Sequence, residues 1–334
     1  MTATTRPTVG PEPVRADFRG ADVLEEYIAA CCNWGRWGED DQIGTLNHIG
    51  PDEVRAAAAL VQLGRTVSVT LPYDQRGPQR GTLRANPRNV MTATGTDHVS
   101  GAQDVLPAGF GPARGYGRSD DILIVPNQAG TQWDSLSHIF WQGRMYGGHP
   151  ADLVSSAGAE RNGIERYAGR LVMRGVLLDV ARHKGVDALE PGHAITTQEL
   201  EATAAAQGVE IRRGDALVVR TGFLEARRED WGDYAGGAAP GLSLHTAPWI
   251  QEREVAAVVS DTWGVEVRPN EIECFQPFHV VALVHMGLAI GEIFDLAEIG
   301  KVCAELGRYE FMFAAPALPI TGASGAPVAG VAIL

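Results

Sequence analysis

Cysteine is scarce in this chain of 334 residues, and what there is has no pattern. Cys31, Cys32, Cys274 and Cys303 have neither the ligand spacing of a structural zinc site nor the framework of a disulfide scaffold. They read as buried thiols of a reducing compartment, and the expected location is cytoplasmic. Basic residues are short as well: 28 Lys and Arg stand against 41 Asp and Glu, for a net charge of −13. That balance argues against nucleic acid or an anionic membrane as main partner. It also disfavours highly anionic substrates unless a local basic pocket exists. No stretch reaches the ~20 apolar residues of a membrane span, and the opening Met1-Thr-Ala-Thr-Thr-Arg-Pro has no apolar signal core. Neither a dinucleotide fingerprint nor a phosphate loop appears, so no organic cofactor is expected. Internal repeats are absent, and so is any linker after residue 20.

What remains is an ordinary globular composition, 45% hydrophobic and 21% charged, long enough for a large core. Residues 1–20, rich in Pro, Thr and Gly, read as a disordered or extended arm. Residues 21–334 read as a single α/β domain with a mixed sheet, because strands and helices intermingle without steady alternation. Helices are expected over 21–32, 51–63, 196–207, 246–254 and 296–306, and 277–286 suits a helix or a partly buried segment. Strands are expected over 65–71, 122–125, 171–180, 215–223, 255–259, 288–294, 309–315 and 328–334. Residues 72–120 form a loop-rich connection, long enough to be functional or lid-like.

The organising stretch is Asn127-Gln128-Ala129-Gly130-Thr131-Gln132-Trp133-Asp134-Ser135-Leu136-Ser137-His138, after the apolar run Ile122-Leu-Ile-Val-Pro126, which reads as a buried strand. In extended backbone, residues two and four apart share a side. Gln128, Gln132, Asp134 and His138 could thus bring two amides, a carboxylate and an imidazole to one point. A polar loop that merely satisfies its own backbone is the other reading. Later, Glu292 lies among apolar neighbours in an expected strand, where a carboxylate needs a partner. His279, a helix-length away, could supply one; a backbone turn could too.

The stretch resembles the signature of the cyclase family, the superfamily of bacterial kynurenine formamidase and isatin hydrolase, which reads His-x-Gly-Thr-His-x-Asp-x-Pro-x-His. Gln128 and Gln132 stand where the family has its first two His, Asp134 and His138 match, and Leu136 replaces the Pro. The segment Trp37-Gly-Glu-Asp-Asp-Gln-Ile-Gly-Thr-Leu-Asn47 and the run His138-Ile-Phe-Trp-Gln-Gly-Arg-Met-Tyr146 look like the family's long-chain branch. His279 and Glu292 resemble its late His…Gly-x-x-x-x-Glu pattern, with His285 a rival for the histidine. The resemblance implies a swivelling β/β/α fold, its mixed sheet forming a barrel-like core with flanking helices. It also implies a homodimer or homotetramer and a site joining the two segments.

In the histidine-bearing members the signature holds a divalent metal. Here the corresponding set is Gln128, Gln132, Asp134, His279 and Glu292. It is dominated by oxygen and suits Mn²⁺ or Mg²⁺ better than Zn²⁺. Without metal, His138 oriented by Asp134 or Glu292 can still move a proton near neutral pH. The expected activity is hydrolysis of an amide, lactam, lactone or similar acyl bond in a small cyclic or aromatic substrate. His138, Asp134 and Glu292 would be catalytic, with Trp37, His98 and Trp133 as candidate pocket walls. A metal-independent cyclase, dehydratase or isomerase is the alternative, and a binding protein that has lost its chemistry is a third. For the tryptophan loop a packing role stands beside the pocket role, and His98 could equally be a solvated surface group.

Overall fold

Four short runs of Val, Leu, Ile and Ala become parallel strands buried along nearly their whole length, as strands covered on both faces must be apolar throughout. In the computed structural model, which describes residues 18–334 apart from 81, 82 and 111, they belong to one nine-stranded sheet. In chain order its strands are β1 (Thr66–Ser68), β2 (Gln132–Asp134), β3 (Val172–Asp179), β4 (Ala216–Arg220) and β5 (Ala257–Ser260). They continue with β6 (Ala289–Glu292), β7 (Glu310–Ala314), β8 (Gly325–Pro327) and β9 (Val331–Ile333). The sheet order is β1-β9-β7-β3-β4-β5-β6-β2-β8. Strands β3 to β6 are parallel and consecutive; antiparallel strands extend the sheet on either side. The result is the mixed, curled half-barrel with flanking helices that the resemblance implies.

Local chemistry explains the helix ends. Thr196 caps α3 (Thr197–Gln207; α1 is Ala21–Cys31, α2 is Pro51–Ala58), with Glu199 completing a reciprocal capping box, and Gly208 closes it in the left-handed conformation. Helices α4 (Ala247–Glu252) and α5 (Ala297–Leu306) follow, the latter stopped by Gly307 at φ 61°. The segment 277–286 comprises a short turn, Pro277–His279, and a π-helical segment, Val280–Met286, buried throughout. Segments of this kind are uncommon and concentrate near functional sites.

Three expectations need correction. Ile122-Leu-Ile-Val is not a buried strand. Residues Asp120–Ile124 pair only with Arg88–Ala93, as a two-stranded arm away from the main sheet. Ile122, Leu123 and Ile124 are each more than half exposed, since nothing described here packs on either face of the arm. The loop-rich reading of 72–120 missed both Arg88–Ala93 and the short helix Gly95–Val99, capped by Thr94. Strand β8 was also unforeseen: Gly325-Ala-Pro327 lacks any apolar alternation, and Pro327 is tolerated because β8 is the sheet's edge. The expected disorder of residues 1–20 falls almost wholly outside the described residues. Among the described residues no helix is long and apolar enough to cross a membrane.

Candidate active site and metal centre

Strand β2 lies between β6 and β8, antiparallel to both. Its side chains alternate, so Gln132 and Asp134 share one face while Trp133 takes the other. Gln132 pairs across the ladder with Glu292, and its amide nitrogen donates to Glu292 Oε2 at 2.8 Å. His279, at the head of the π-helical segment, brings Nε2 to 3.1 Å from Glu292 Oε1. One ligating atom each from Asp134, His279 and Glu292 lie within 4.8 Å of one another, all three side chains being buried. His138 Nε2 stands 3.8 Å from Asp134 Oδ1 and remains partly open to solvent. The mid-chain acid and imidazole thus meet the late imidazole and acid in one place.

Gln128 sits at the margin. Its amide donates to the Ser324 hydroxyl at 3.3 Å. Gly325 pairs with Asp134, so a Cβ there would point to Asp134's face, and it would lie 2.6 Å from Gln128 Nε2. The glycine makes room for that amide beside the carboxylate.

Glu266, which the sequence reading missed, fixes the orientation of His279. It accepts from His279 Nδ1 at 2.5 Å and from the backbone N–H groups of Phe278 and His279 at 3.1 and 3.0 Å. A carboxylate holding one ring nitrogen turns the other toward the site, as in histidines that ligate metals. An acid between two valines, Val265 and Val267, in an apolar stretch was the available signal. Arg84 was missed as well; its guanidinium donates to the Gln128 carbonyl at 3.3 Å.

Both oxygens of Asp134 and Oε1 of Gln132 are buried without a hydrogen-bond partner among the described residues. Unpaired buried oxygens of this kind are costly, and a cation would satisfy them. The donor set therefore fits a divalent metal. Asp134, Glu292, Gln132 Oε1 and His279 Nε2 would hold it, with oxygen outnumbering nitrogen.

The electrostatics follow from burial. Desolvation and the charge of Asp134 raise Glu292 to about 7, against the opposing pull of His279 and Arg84. Burial lowers His138, reinforced by Arg84 and His279 and opposed by Asp134, so its imidazole is neutral at pH 7 and free to accept a proton. Burial also works against a charge on His279, but the hydrogen bonds and charges of Glu266 and Glu292 outweigh it and raise it to about 10.

Of the three expected pocket walls, Trp133 is turned away from the site, and Trp37 and His98 make other contacts. Trp133 is fully buried on the opposite face, donates its indole N–H to the Ala315 carbonyl at 2.7 Å, and packs edge-on against Phe294 and Phe313. The period of two that aims Gln132 and Asp134 at the site necessarily aims Trp133 into the core. Trp37 packs edge-on to His48 beneath the Arg36 guanidinium. His98 lies on the arm against Gly117. His285 stacks on Trp34 at 5.0 Å and does not join the site, so the rivalry with His279 is resolved by position.

The tryptophan segment does serve the site indirectly. Asn33 and the Trp34 indole donate to the carbonyls of Met286 and Val284, covering the end of the π-helical segment. Thr45 N–H donates to Gly287 O at 2.9 Å, and Gly44, at φ 54°, approaches so closely that a Cβ would fall 2.0 Å from that oxygen. This clasp braces the connection between His279 and Glu292. A groove of about 690 Å³ between Leu71–Arg80 and Arg228–Gly232 contains none of the convergent residues. The unpaired buried oxygens, not the size of an opening, mark the site.

A family model described as "Putative cyclase" matches residues 61–267. A crystal structure described as that of a novel cyclase is 37% identical, covers 92% of this chain and 99% of that one, and superposes with a TM-score of 0.83. Isatin hydrolase A from Labrenzia aggregata, bound to benzyl benzoate, is 17% identical with a TM-score of 0.57, covering 80% of this chain and 93% of that one. An isatin hydrolase bound to the product analogue thioisatinate is 15% identical, covers 86% and 99%, and also gives 0.57. At such identities these last two show the fold alone. No curated protein matches. With the signature strand, the late His and Glu and a 37% identical relative all agreeing along the chain, this protein belongs to the cyclase family.

Proposed function

We propose that the protein is a hydrolase that cleaves an amide, lactam, lactone or similar acyl bond of a small cyclic or aromatic substrate by activating water. The observation that carries this reading is the buried, unpaired carboxylate of Asp134 beside Glu292, His279 and the neutral His138. A divalent cation held by Asp134, His279, Glu292 and Gln132 would lower the pKa of water and polarise the scissile carbonyl. His138 accepts the proton of the attacking water, and Asp134 orients its ring and stabilises the charge it gains. The His138 imidazolium then returns that proton to the leaving nitrogen or oxygen, while Glu292 keeps His279 in place. The amides of Gln128 and Gln132 contribute polar contacts to the developing oxyanion.

Full metal occupancy in protein purified without chelator, with activity that rises with occupancy, supports this reading. Activity that survives complete metal removal favours the alternative, a metal-independent cyclase, dehydratase or isomerase. The engagement of the Gln128 amide by Ser324, in place of a ligating imidazole, supports that second reading. A screen of lactams, lactones and N-formyl aromatics with and without added Mn²⁺ decides between them. The protein is further proposed to act as a homodimer or homotetramer, supported by the apolar side chains that the arm exposes.

A further inference from the structure

Trp263 follows β5 on the same loop as Glu266, and it is 6% exposed with its indole N–H buried and unpartnered. Two guanidinium groups bear on that one ring: Arg84 at 5.3 Å and Arg268 at 5.4 Å from its centroid. Neither makes an ion pair among the described residues, although acids far outnumber bases in this chain. Arg84 reaches only the Gln128 carbonyl, and Arg268 donates Nη2 to the Gly236 carbonyl at 2.8 Å while its Nη1 is buried without a partner. Burial works against the charge of Arg268, and Glu266 opposes that effect without an ion pair to it. Unsatisfied buried donors cost free energy besides. An anion near both guanidinium groups and the indole N–H would relieve both penalties.

The position of this group relates it to the reaction. Arg84 contacts the Gln128 carbonyl, and Gln128 lies beside Asp134. The charge of Arg84 acts on both His138 and Glu292. Arg268 and Trp263 flank Glu266 in sequence, and Glu266 holds His279.

We propose that Arg84, Arg268 and Trp263 form an anion subsite beside the catalytic residues, and that the substrate carries a carboxylate bound there while its acyl bond faces Asp134 and His138. The overall acidity of the chain makes such a local basic pocket necessary for an anionic substrate. Guanidinium forks match carboxylate geometry, and the neighbouring indole N–H adds a third donor. This inference rests on the hydrolase reading for its orientation, but its test does not.

The test is calorimetric titration of the chelator-treated protein with benzoate and with benzamide, which share shape and differ in charge. Benzoate should bind at least about tenfold more tightly, a difference of about 1.4 kcal/mol. R84Q and R268Q should each remove most of that preference, R268K should retain part of it, and added salt should weaken benzoate only. Chelation removes any contribution from metal ligation by the carboxylate, and circular dichroism of each variant checks the fold. Equal affinity for the two probes, or benzoate binding unchanged in both R84Q and R268Q, overturns the proposal. A failed hydrolysis screen alongside arginine-dependent benzoate binding would leave the subsite standing and remove only the hydrolase reading.

Discussion

Gln132 and Glu292 are direct partners across two antiparallel strands, and the amide of one donates to the carboxylate of the other. The signature that this stretch resembles would place a histidine at the first of these positions. Replacing Gln132 by His should therefore place a nitrogen donor against Asp134 and Glu292 and shift preference from Mn²⁺ toward Zn²⁺. Competition between the two ions, read by calorimetry on parent and Q132H, checks it. D134N should weaken both ions strongly, and undiminished affinity in D134N would show that the metal sits elsewhere.

His138→Ala should lower kcat by about 10²–10⁴-fold while leaving the melting temperature close to the parent's, since the ring is partly exposed and approaches Asp134 no closer than 3.8 Å. Turnover unchanged on the true substrate would remove His138 from the proton-transfer role.

Trp133→Ala tests the opposite face of the same strand. The indole is fully buried among Phe294 and Phe313, so truncation should cost about 3–5 kcal/mol of stability. Denaturant unfolding reads the loss. A variant of parental stability with only a raised KM would restore Trp133 to the pocket wall.

Acid should destabilise the fold in a defined window. Burial lowers both His48 and His285 to about 4, with neighbouring Glu254 opposing and Arg36 and Arg213 assisting at His48. The unfolded chain takes up these protons near pH 6.5, before the folded one does. The stability associated with neutral burial is therefore intact above 6.5 and declines as pH falls to about 4, by at most about 1.4 kcal/mol per pH unit for each ring. Melting curves between pH 7 and pH 4.5 should show a shallower decline in H48Q and H285Q than in the parent. Parallel curves would mean that the rings are protonated in the native state.

If the arm mediates self-association, charge on it should weaken assembly. I122D combined with I124D is expected to move the protein to a smaller species in light scattering after size exclusion, with the circular dichroism spectrum retained. The same mass for parent and variant would place any interface elsewhere.

Continuous apolar runs made the central sheet legible, because strands covered on both faces are mostly Val, Leu, Ile and Ala. The same rule misled at Ile122-Leu-Ile-Val, since an apolar run reports the need for cover and not where cover comes from. In the site, the residue types and spacing of Gln132, Asp134, His138, His279 and Glu292 were visible because they sit in two short stretches. Arg84 and Trp263 were not, because a single arginine or tryptophan in a loop has no spacing to read, and Glu266 offered only its place between two valines. For Trp133, aromatic character and a place beside Asp134 suggest a pocket wall. The alternation of β2, once recognised, assigns it to the core.

The placement of β2 between β6 and β8 has a consequence for biosynthesis. Residues 132–134 leave the ribosome long before 289–292 and 325–327 exist, so the acid of the middle segment has no ladder on either side until those later segments are made. The candidate centre is thus withheld from any product that stops before residue 289. A nascent chain halted before residue 325 can complete its central parallel strands while the candidate centre still lacks one wall.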